Sequence, residues 1–250
     1  MNRQADHARW RTLYYAGAVA PLIALFFYLI EFSILFVGEP YPTTIEGWYT
    51  LVQRSKLLSL WYLNALDILS FALLGIMFLA LHMALRRFRP SWMLIALYLA
   101  LLGVAVFIVP RAFHLSLLPL SDLHAAATTD AQKAIYLAAG EALSQVSTAT
   151  PQTLGFLFMA VAGLIISIVS LRSQALGEQV PFSKAAGYVG IAGFVAALAN
   201  FGSRLLAPNV AETLMPMNGL LWFAWWILAS VSLFKLARKT SAEGSETMVG

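Results

Sequence analysis

Residues 57–109, LLSLWYLNALDILSFALLGIMFLALHMALRRFRPSWMLIALYLALLGVAVFIV, decide the fold class of this chain. They contain two long apolar runs, 57–81 and 91–109, separated by the basic sequence RRFRP at 86–90. A bilayer core of about 30 Å requires roughly 20 apolar residues in a helix. Each run has about that length, and a proline with several arginines is typical of a short loop between spans. The stretch therefore predicts two membrane-spanning helices joined by a tight basic loop.

The composition of the whole chain agrees with this prediction. Of its 250 residues, 60% are hydrophobic and 11% are charged, and the mean hydropathy is +0.76. A soluble domain is about 45–50% apolar and about 25% charged. The net charge of +4 comes from basic residues scattered between apolar runs, which argues against nucleic-acid binding. Because cysteine is absent, disulfides, thiolate catalysis and cysteine-bound metal centres are excluded.

Six segments are long and apolar enough to span a bilayer. They are 13–37, 57–81, 91–109, 154–171, 185–205 and 217–236. The first is too long for the core of a signal peptide, so we expect it to remain as a span. The predicted fold is all-α, a single polytopic transmembrane helix bundle over 13–236. A cytoplasmic tail at 1–12 precedes it, and a disordered cytoplasmic tail at 237–250 follows it.

Basic residues set the predicted orientation of the bundle. If the amino terminus is cytoplasmic, eleven Lys and Arg residues lie on the inner side and five lie on the outer side. Inner loops of membrane proteins carry the excess of basic residues. We therefore expect both termini in the cytoplasm, and the loop at 86–90 is the strongest single indication of it.

Two further segments have amphipathic helical patterns. Segment 129–147 begins with Thr129 and Gln132 at capping-box spacing and is more polar than the six spans. It is predicted either to lie at the outer surface of the bundle or to form a seventh, tilted span. In the outer loop 38–56, apolar and aromatic residues recur at helical spacing, which predicts a helix at the membrane interface.

Small and aromatic residues indicate how the later spans pack. Gly and Ala follow one face of the fourth and fifth spans, and such faces let helices approach closely in lipid. These two spans are therefore predicted to be neighbours. The sixth span contains Trp222, Trp225 and Trp226 and has no charge in its apolar middle. It is predicted to face lipid over much of its surface, with the tryptophans as interfacial anchors.

Ionisable residues inside the spans are the candidates for a site, because each costs about 2.5–3.5 kcal/mol to insert. Asn64, Asp67 and Ser70 follow i, i+3 steps on the second span, which places Asp67 about 15 Å from the outer end of that helix. Two acids lie inside the spans, Glu31 and Asp67. Arg111 and Arg204, at the outer ends of the third and fifth spans, are the cations expected to pair with them. The predicted polar cluster or ligand-binding set in the outer half of the membrane is Glu31, Asn64, Asp67, Arg111, Asn200 and Arg204.

Three interpretations of this cluster stay open. The first is an ion-paired network that orients the helices, the second is a ligand or ion cavity open to the outside, and the third is an active site. His114, Asp122 and His124 lie close together in the outer loop, but their spacing matches no zinc signature. No metal site and no cofactor are predicted.

Several motifs occur in an order that is familiar from one bacterial family. They are AGEALS at 139–144, TPQTLG at 150–155, LRS at 171–173, Pro181 followed by AAGYVGIAGF at 185–194, and LWFAWW at 221–226. From residue 16 to residue 237 the chain resembles the membrane proteins catalogued as the domain of unknown function numbered forty-three eighty-six. The resemblance implies a bacterial inner-membrane protein of six or seven helices, and it supplies no catalytic residues.

The expected function is that of a ligand-binding, sensor or accessory helix bundle, with the lipid bilayer and a small or amphiphilic ligand as partners. A carrier is not favoured, because the chain shows no inverted repeat. One alternative is an intramembrane enzyme acting on a lipid or isoprenoid, with Glu31 or Asp67 as acid or base. The other is a structural or interaction subunit. An acid paired with arginine in dry packing would favour structure, whereas an unpaired acid lining a cavity would favour catalysis or proton handling.

Overall fold

The computed structural model describes residues 9–38, 40–148, 150–206 and 208–246, with the side chains of 34–37, 147–152, 204–215 and 240–246 left undescribed. The described residues form helices and no strand, which confirms the all-α prediction. In chain order the helices are α1 (Arg11–Val37), α2 (Ile45–Arg54), α3 (Lys56–Tyr62), α4 (Ala65–Leu85), α5 (Pro90–His114), α6 (Leu117–Ala126), α7 (Asp130–Thr148), α8 (Thr150–Ala175), α9 (Lys184–Leu206) and α10 (Pro208–Glu246). Since α10 continues to Glu246, the tail predicted to be disordered from residue 237 begins within a helix.

Six helices are long and apolar enough to cross a membrane within the described part of the chain: α1, α4, α5, α8, α9 and α10. This confirms the predicted polytopic bundle of six spans. The amphipathic helix α7 is not among them. Its first turn has the predicted capping pattern, because the Gln132 amide donates to Thr129 Oγ1 and the Gln132 side chain accepts from the Thr128 amide.

The six long helices form a closed ring. Each packs against the long helices that precede and follow it in the chain, and α10 closes the ring against α1. Helix α4 also touches α8 and α10, so it is the most enclosed of the six. The predicted contact between the fourth and fifth spans is confirmed by the packing of α8 against α9.

Glycine allows a close backbone-to-backbone helix crossing in the ring, between α5 and α8. A Cβ atom added at Gly155 would lie 2.9 Å from the carbonyl oxygen of Gly103, and one added at Gly103 would lie 2.7 Å from the carbonyl oxygen of Gly155. Backbone atoms cannot move aside as the end of a flexible side chain can. The two glycines therefore set the distance between these helices.

This crossing gives a first testable prediction. Gly155→Ala forces a methyl group against the backbone of α5, and overpacking of this kind costs about 1–3 kcal/mol. We expect a lower melting temperature for the variant in detergent. The matched control is Gly219→Ala on α10, where an added Cβ meets no atom within 4 Å. The control gains about 0.5–1 kcal/mol from helix propensity, so equal melting temperatures for the two variants would contradict the prediction.

The predicted second span is wrong at its amino-terminal end. Asn64 has a left-handed backbone conformation with φ of 55°, and it separates α3 from α4. Asparagine is one of the few residues that adopt this conformation readily. The break leaves Asp67 in the first turn of α4, rather than deep within a continuous helix, and Asn64 is not on a helical stripe with it. The partial positive charge of a helix amino terminus favours an acid at this position.

The predicted interfacial position of the tryptophans on the sixth span is also wrong. Trp222, Trp225 and Trp226 are all buried in the bundle core rather than exposed at the membrane interface. The ring of Phe194 on α9 lies edge-on to Trp222 at 5.3 Å and to Trp225 at 4.9 Å between centroids. The small residues of α9 make room for these rings, since a Cβ atom at Gly190 would meet Trp225 Nε1 at 2.7 Å.

Four shorter helices, α2, α3, α6 and α7, cover one end of the ring, and we call them the cap. The predicted helix in loop 38–56 is present as α2, but its aromatic face is buried within the protein. Tyr49 Oη donates to the Tyr136 carbonyl at 2.7 Å, and Ser121 Oγ donates to the Tyr49 carbonyl at 3.1 Å. Burial raises the pKa of the Tyr49 hydroxyl above its usual value. These contacts tie α2 to α6 and α7 across the end of the bundle.

Candidate functional site

A buried ion pair lies just beneath the cap. Arg111 Nη2 on α5 is 3.4 Å from Asp67 Oδ2 on α4, and each side chain is only 8% exposed. The pair between Lys56 and Asp122, by contrast, lies on the cap surface with side chains 63% and 48% exposed. An exposed pair contributes at most about 1 kcal/mol, whereas breaking a buried one is costly. The Asp67–Arg111 pair is therefore the one that constrains the bundle.

Two side chains of α1 extend this pair. The Tyr28 hydroxyl and the carboxyl of Glu31 are both in hydrogen-bonding contact with the Asp67 carboxylate. Two carboxyl groups can hydrogen bond to each other only if one of them carries a proton. Arg111 and Tyr28 stabilise the negative charge on Asp67, so the proton lies on Glu31. We call Tyr28, Glu31, Asp67 and Arg111 the carboxyl cluster.

Stacked aromatic rings form the floor of the carboxyl cluster. Phe71 lies one turn after Asp67 on α4, and Phe107 lies one turn before Arg111 on the antiparallel helix α5. Their rings stack with centroids 3.6 Å apart and planes 14° apart, and Phe156 of α8 packs edge-on against both. The Arg111 guanidinium lies 5.4 Å from the Phe107 ring centroid. The floor separates the cluster from the rest of the core and lowers the local dielectric constant, which strengthens the ion pair.

Tyr41, between α1 and α2, lies on the cap side of the cluster. Its hydroxyl donates to Asn64 Oδ1 at 3.4 Å, and its ring lies 5.2 Å from that of Tyr62. Burial raises the pKa of the Tyr41 hydroxyl, and the nearby carboxyl groups of Glu31 and Asp67 raise it further. Tyr41 is therefore close enough to the cluster to interact with it electrostatically, while its own side chain stays accessible from the cap surface.

The cluster contains polar atoms that the described residues do not satisfy. Glu31 Oε1, Arg111 Nε and Ser70 Oγ are buried, and none has a hydrogen-bond partner among those residues. Ser70 lies one turn after Asp67 on α4 and is fully buried. Three other buried serines, Ser167, Ser230 and Ser232, instead donate to the carbonyl four residues earlier, whereas the buried Ser173 Oγ of α8 also has no partner among the described residues. Buried polar groups are normally hydrogen-bonded, so the cluster has capacity for additional polar atoms.

The structure brings together only part of the predicted set. Glu31, Asp67 and Arg111 are in contact, and Asn64 lies at the rim through Tyr41. Asn200 is buried on α9, which packs between α8 and α10, so the helix contacts described do not join it to the cluster. The side chain of Arg204 lies outside the described residues.

Tyr28 and Tyr41 are the functional candidates that the sequence did not indicate. Tyr28 lies one turn before Glu31 on α1, so its spacing from the acid was a usable signal. Nothing near Tyr41 in the sequence indicated its position, because a loop placed it beside Asn64.

His114 at the end of α5 and the residues Asp122 and His124 of the cap are not arranged as metal ligands. His114 is buried against the edge of Trp48, with ring centroids 5.5 Å apart, and Asp122 binds Lys56 and Gln53. Within the described part of the chain, no group of three or more His, Asp or Glu residues could hold a metal ion.

Comparisons of the chain with models of known families, with curated proteins and with solved structures found no match. The resemblance to the bacterial family therefore stays an expectation from sequence.

Proposed function

We propose that the chain is a multi-pass protein of the bacterial inner membrane with both termini in the cytoplasm. The support is the distribution of charge between the two ends of the ring. Loop 86–89 lies at the end opposite the cap, together with Trp10, whose ring lies 5.9 Å from the Arg86 guanidinium. The excess of Lys and Arg at this end favours the cytoplasmic side. The cap and the carboxyl cluster then lie in the outer half of the membrane.

Cysteine labelling tests this orientation directly, because the chain has no native cysteine. We expect Thr128→Cys, on the exposed cap surface, to react with a membrane-impermeant maleimide in intact cells. Ser91→Cys, exposed at the other end of the ring, should react only after permeabilisation. The reverse pattern would place the cap in the cytoplasm and overturn the proposed orientation.

The function that we propose is binding of a small or amphiphilic ligand at the carboxyl cluster, as in a sensor or an accessory subunit. The observation that carries it is the unused hydrogen-bonding capacity of Glu31, Ser70 and Arg111 in a buried site. A purely structural network would account for the Asp67–Arg111 pair. It would leave three polar atoms unpaired beside that pair in one small site, each at a cost in free energy.

The enzymatic alternative has less support. Asp67 is paired with Arg111 and in hydrogen-bonding contact with Tyr28, so its carboxylate is already engaged by two partners. Glu31 is not paired with an arginine, but its proton is engaged with Asp67. No described group beside these residues is an activated nucleophile or an oxyanion-binding pair of amides. The cluster is therefore better suited to binding than to turnover.

Native mass spectrometry of the protein purified from its own membranes tests the binding function. We expect the wild type to retain a small-molecule or lipid adduct that the Asp67→Asn variant loses at equal expression and melting temperature. Asp122→Asn, which removes an exposed carboxylate of the cap, is the matched control and should retain the adduct. If wild type and Asp67→Asn show the same adducts, the cluster is structural.

A further inference from the structure

We propose that the carboxyl cluster binds a lipophilic monovalent organic cation in exchange for the proton held by Glu31. This inference rests on the proposed ligand-binding function and specifies the charge class of the ligand. It also assigns an exchange of one proton for one cation to the site.

The balance of charge in the cluster is the first argument. Asp67 and Arg111 cancel each other, so the cluster is neutral only while Glu31 is protonated. Loss of that proton leaves one net negative charge in a site of low dielectric constant, which is costly without a counter-ion. One bound monovalent cation restores neutrality. Proton and cation therefore compete for the same charge, and the proton released from the Glu31 carboxyl passes to solvent.

The groups that face Glu31 from each neighbouring element support a cation rather than an anion. Helix α4 contributes Asp67, and α5 contributes Arg111 with His114 behind it. Tyr28, Tyr41 and Tyr62 are neutral, and α10 faces Tyr28 with Phe223 and Trp226. Arg111 is the one permanent cation that the described side chains place beside the two acids. It is already paired with Asp67, so an anionic ligand would have to compete with the Asp67 carboxylate for its charge.

Aromatic rings around the cluster favour an organic cation over a metal ion. The Tyr28 ring lies 6.3 Å from that of Phe32, which is exposed on the outer surface of α1, and Tyr41 lies 5.2 Å from Tyr62. Ring faces attract organic cations, whereas hard metal ions require about six oxygen ligands. Glu31 is half-buried and precedes the exposed Phe32 on α1, so it lies near the apolar outer face of the bundle. This position is the reason for expecting a lipophilic cation.

The unpartnered atoms of Ser70 and Arg111, which also support the proposed function, show where water or polar groups that accompany the cation would bind. Both side chains are more than nine-tenths buried beside Asp67, and Ser70 Oγ and Arg111 Nε have no partner among the described residues. Ser167 and Ser230, by contrast, bond their own helix. Polar atoms held free next to the carboxylates are expected where a ligand or its accompanying water completes the hydrogen bonding.

Two probes of the same shape and opposite charge test the inference: tetraphenylphosphonium and tetraphenylborate. Calorimetric titration of the purified full-length protein, in buffers of different ionisation enthalpy, measures the affinity and the protons released. We expect the phosphonium to bind with release of one proton where Glu31 is protonated and the borate not to bind. In that range the affinity should rise about tenfold per pH unit, because one proton competes with one cation.

Variants separate the role of Glu31 from general destabilisation. Glu31→Gln keeps a hydrogen bond to Asp67 but removes the exchangeable proton, so phosphonium binding should weaken at least tenfold and lose its pH dependence. Glu46→Gln, which changes an exposed acid on the cap, is the matched control and should behave as wild type. If Glu31→Gln does not fold, the wild-type proton count and the comparison of the two probes still decide the inference.

The outcomes distinguish this inference from the proposed function. Equal binding of both probes, or phosphonium binding without proton release, overturns the exchange. If an Asp67-dependent adduct is present in native mass spectrometry but the phosphonium does not bind, ligand binding stands and the cationic class is wrong. If neither is observed, both proposals fail.

Discussion

The Asp67→Leu variant will lose about 3–5 kcal/mol of stability, because it leaves the buried guanidinium of Arg111 without a counter-charge. An arginine side chain, unlike a carboxyl group, does not relieve such a cost by giving up its charge. Asp67→Asn should cost much less, because the amide oxygen still accepts hydrogen bonds from Arg111 and Tyr28. Arg111→Met should fall between the two, since Asp67 can take up a proton once its partner is gone. Thermal unfolding of the three variants in one detergent gives this order.

The double variant Asp67→Leu/Arg111→Met is the control for this prediction. It replaces the whole pair by apolar side chains, and such replacement of buried ion pairs is often neutral. We expect it to recover most of the stability that Asp67→Leu loses. If the two single losses simply add in the double variant, the residues do not interact, and the pair does not hold α4 against α5.

The six spans and the core of the cluster followed from the sequence for simple physical reasons. Length and hydropathy define a span, and the high cost of a charge in lipid identifies Glu31 and Asp67 as residues that need a partner. Arg111 follows the third apolar run directly and could be paired with them by depth alone. These inferences rest on composition and position along each helix, which the sequence contains in full.

Features that depend on local backbone conformation or on contacts between helices could not be predicted from the sequence. Hydropathy is continuous across Asn64, so it does not show the break between α3 and α4, and the distance of Asp67 from the outer end of its helix was predicted wrongly. The tryptophans of α10 were placed at the membrane interface because their composition is typical of anchors, although the glycine face of α9 accepts them in the core. Tyr41 reaches the cluster through a loop, and loop geometry carries no periodic signal.

Trp225→Ala will destabilise the bundle by about 3 kcal/mol, and Trp92→Ala will change its stability by at most about 0.5 kcal/mol. Trp225 is 1% exposed, and its ring contacts those of Phe194, Phe78 and Phe182. Trp92, by contrast, is 56% exposed on the face of α5 that points away from the bundle. In lipid the transfer of apolar surface from water contributes little, so the cost of Trp225→Ala comes from lost dispersion contacts and from the cavity left behind.

Thermal unfolding of both tryptophan variants, each followed by intrinsic fluorescence and by helical circular dichroism, separates a core position from an interfacial one. A core position at Trp225 predicts a large loss of stability at any lipid composition. An interfacial anchor would instead show a small loss that depends on bilayer thickness. Equal, small effects of Trp225→Ala and Trp92→Ala would mean that α10 presents its tryptophans to the membrane after all. The closure of the ring between α9, α10 and α1 would then be wrong, because Trp225 and Trp226 occupy the space between those helices.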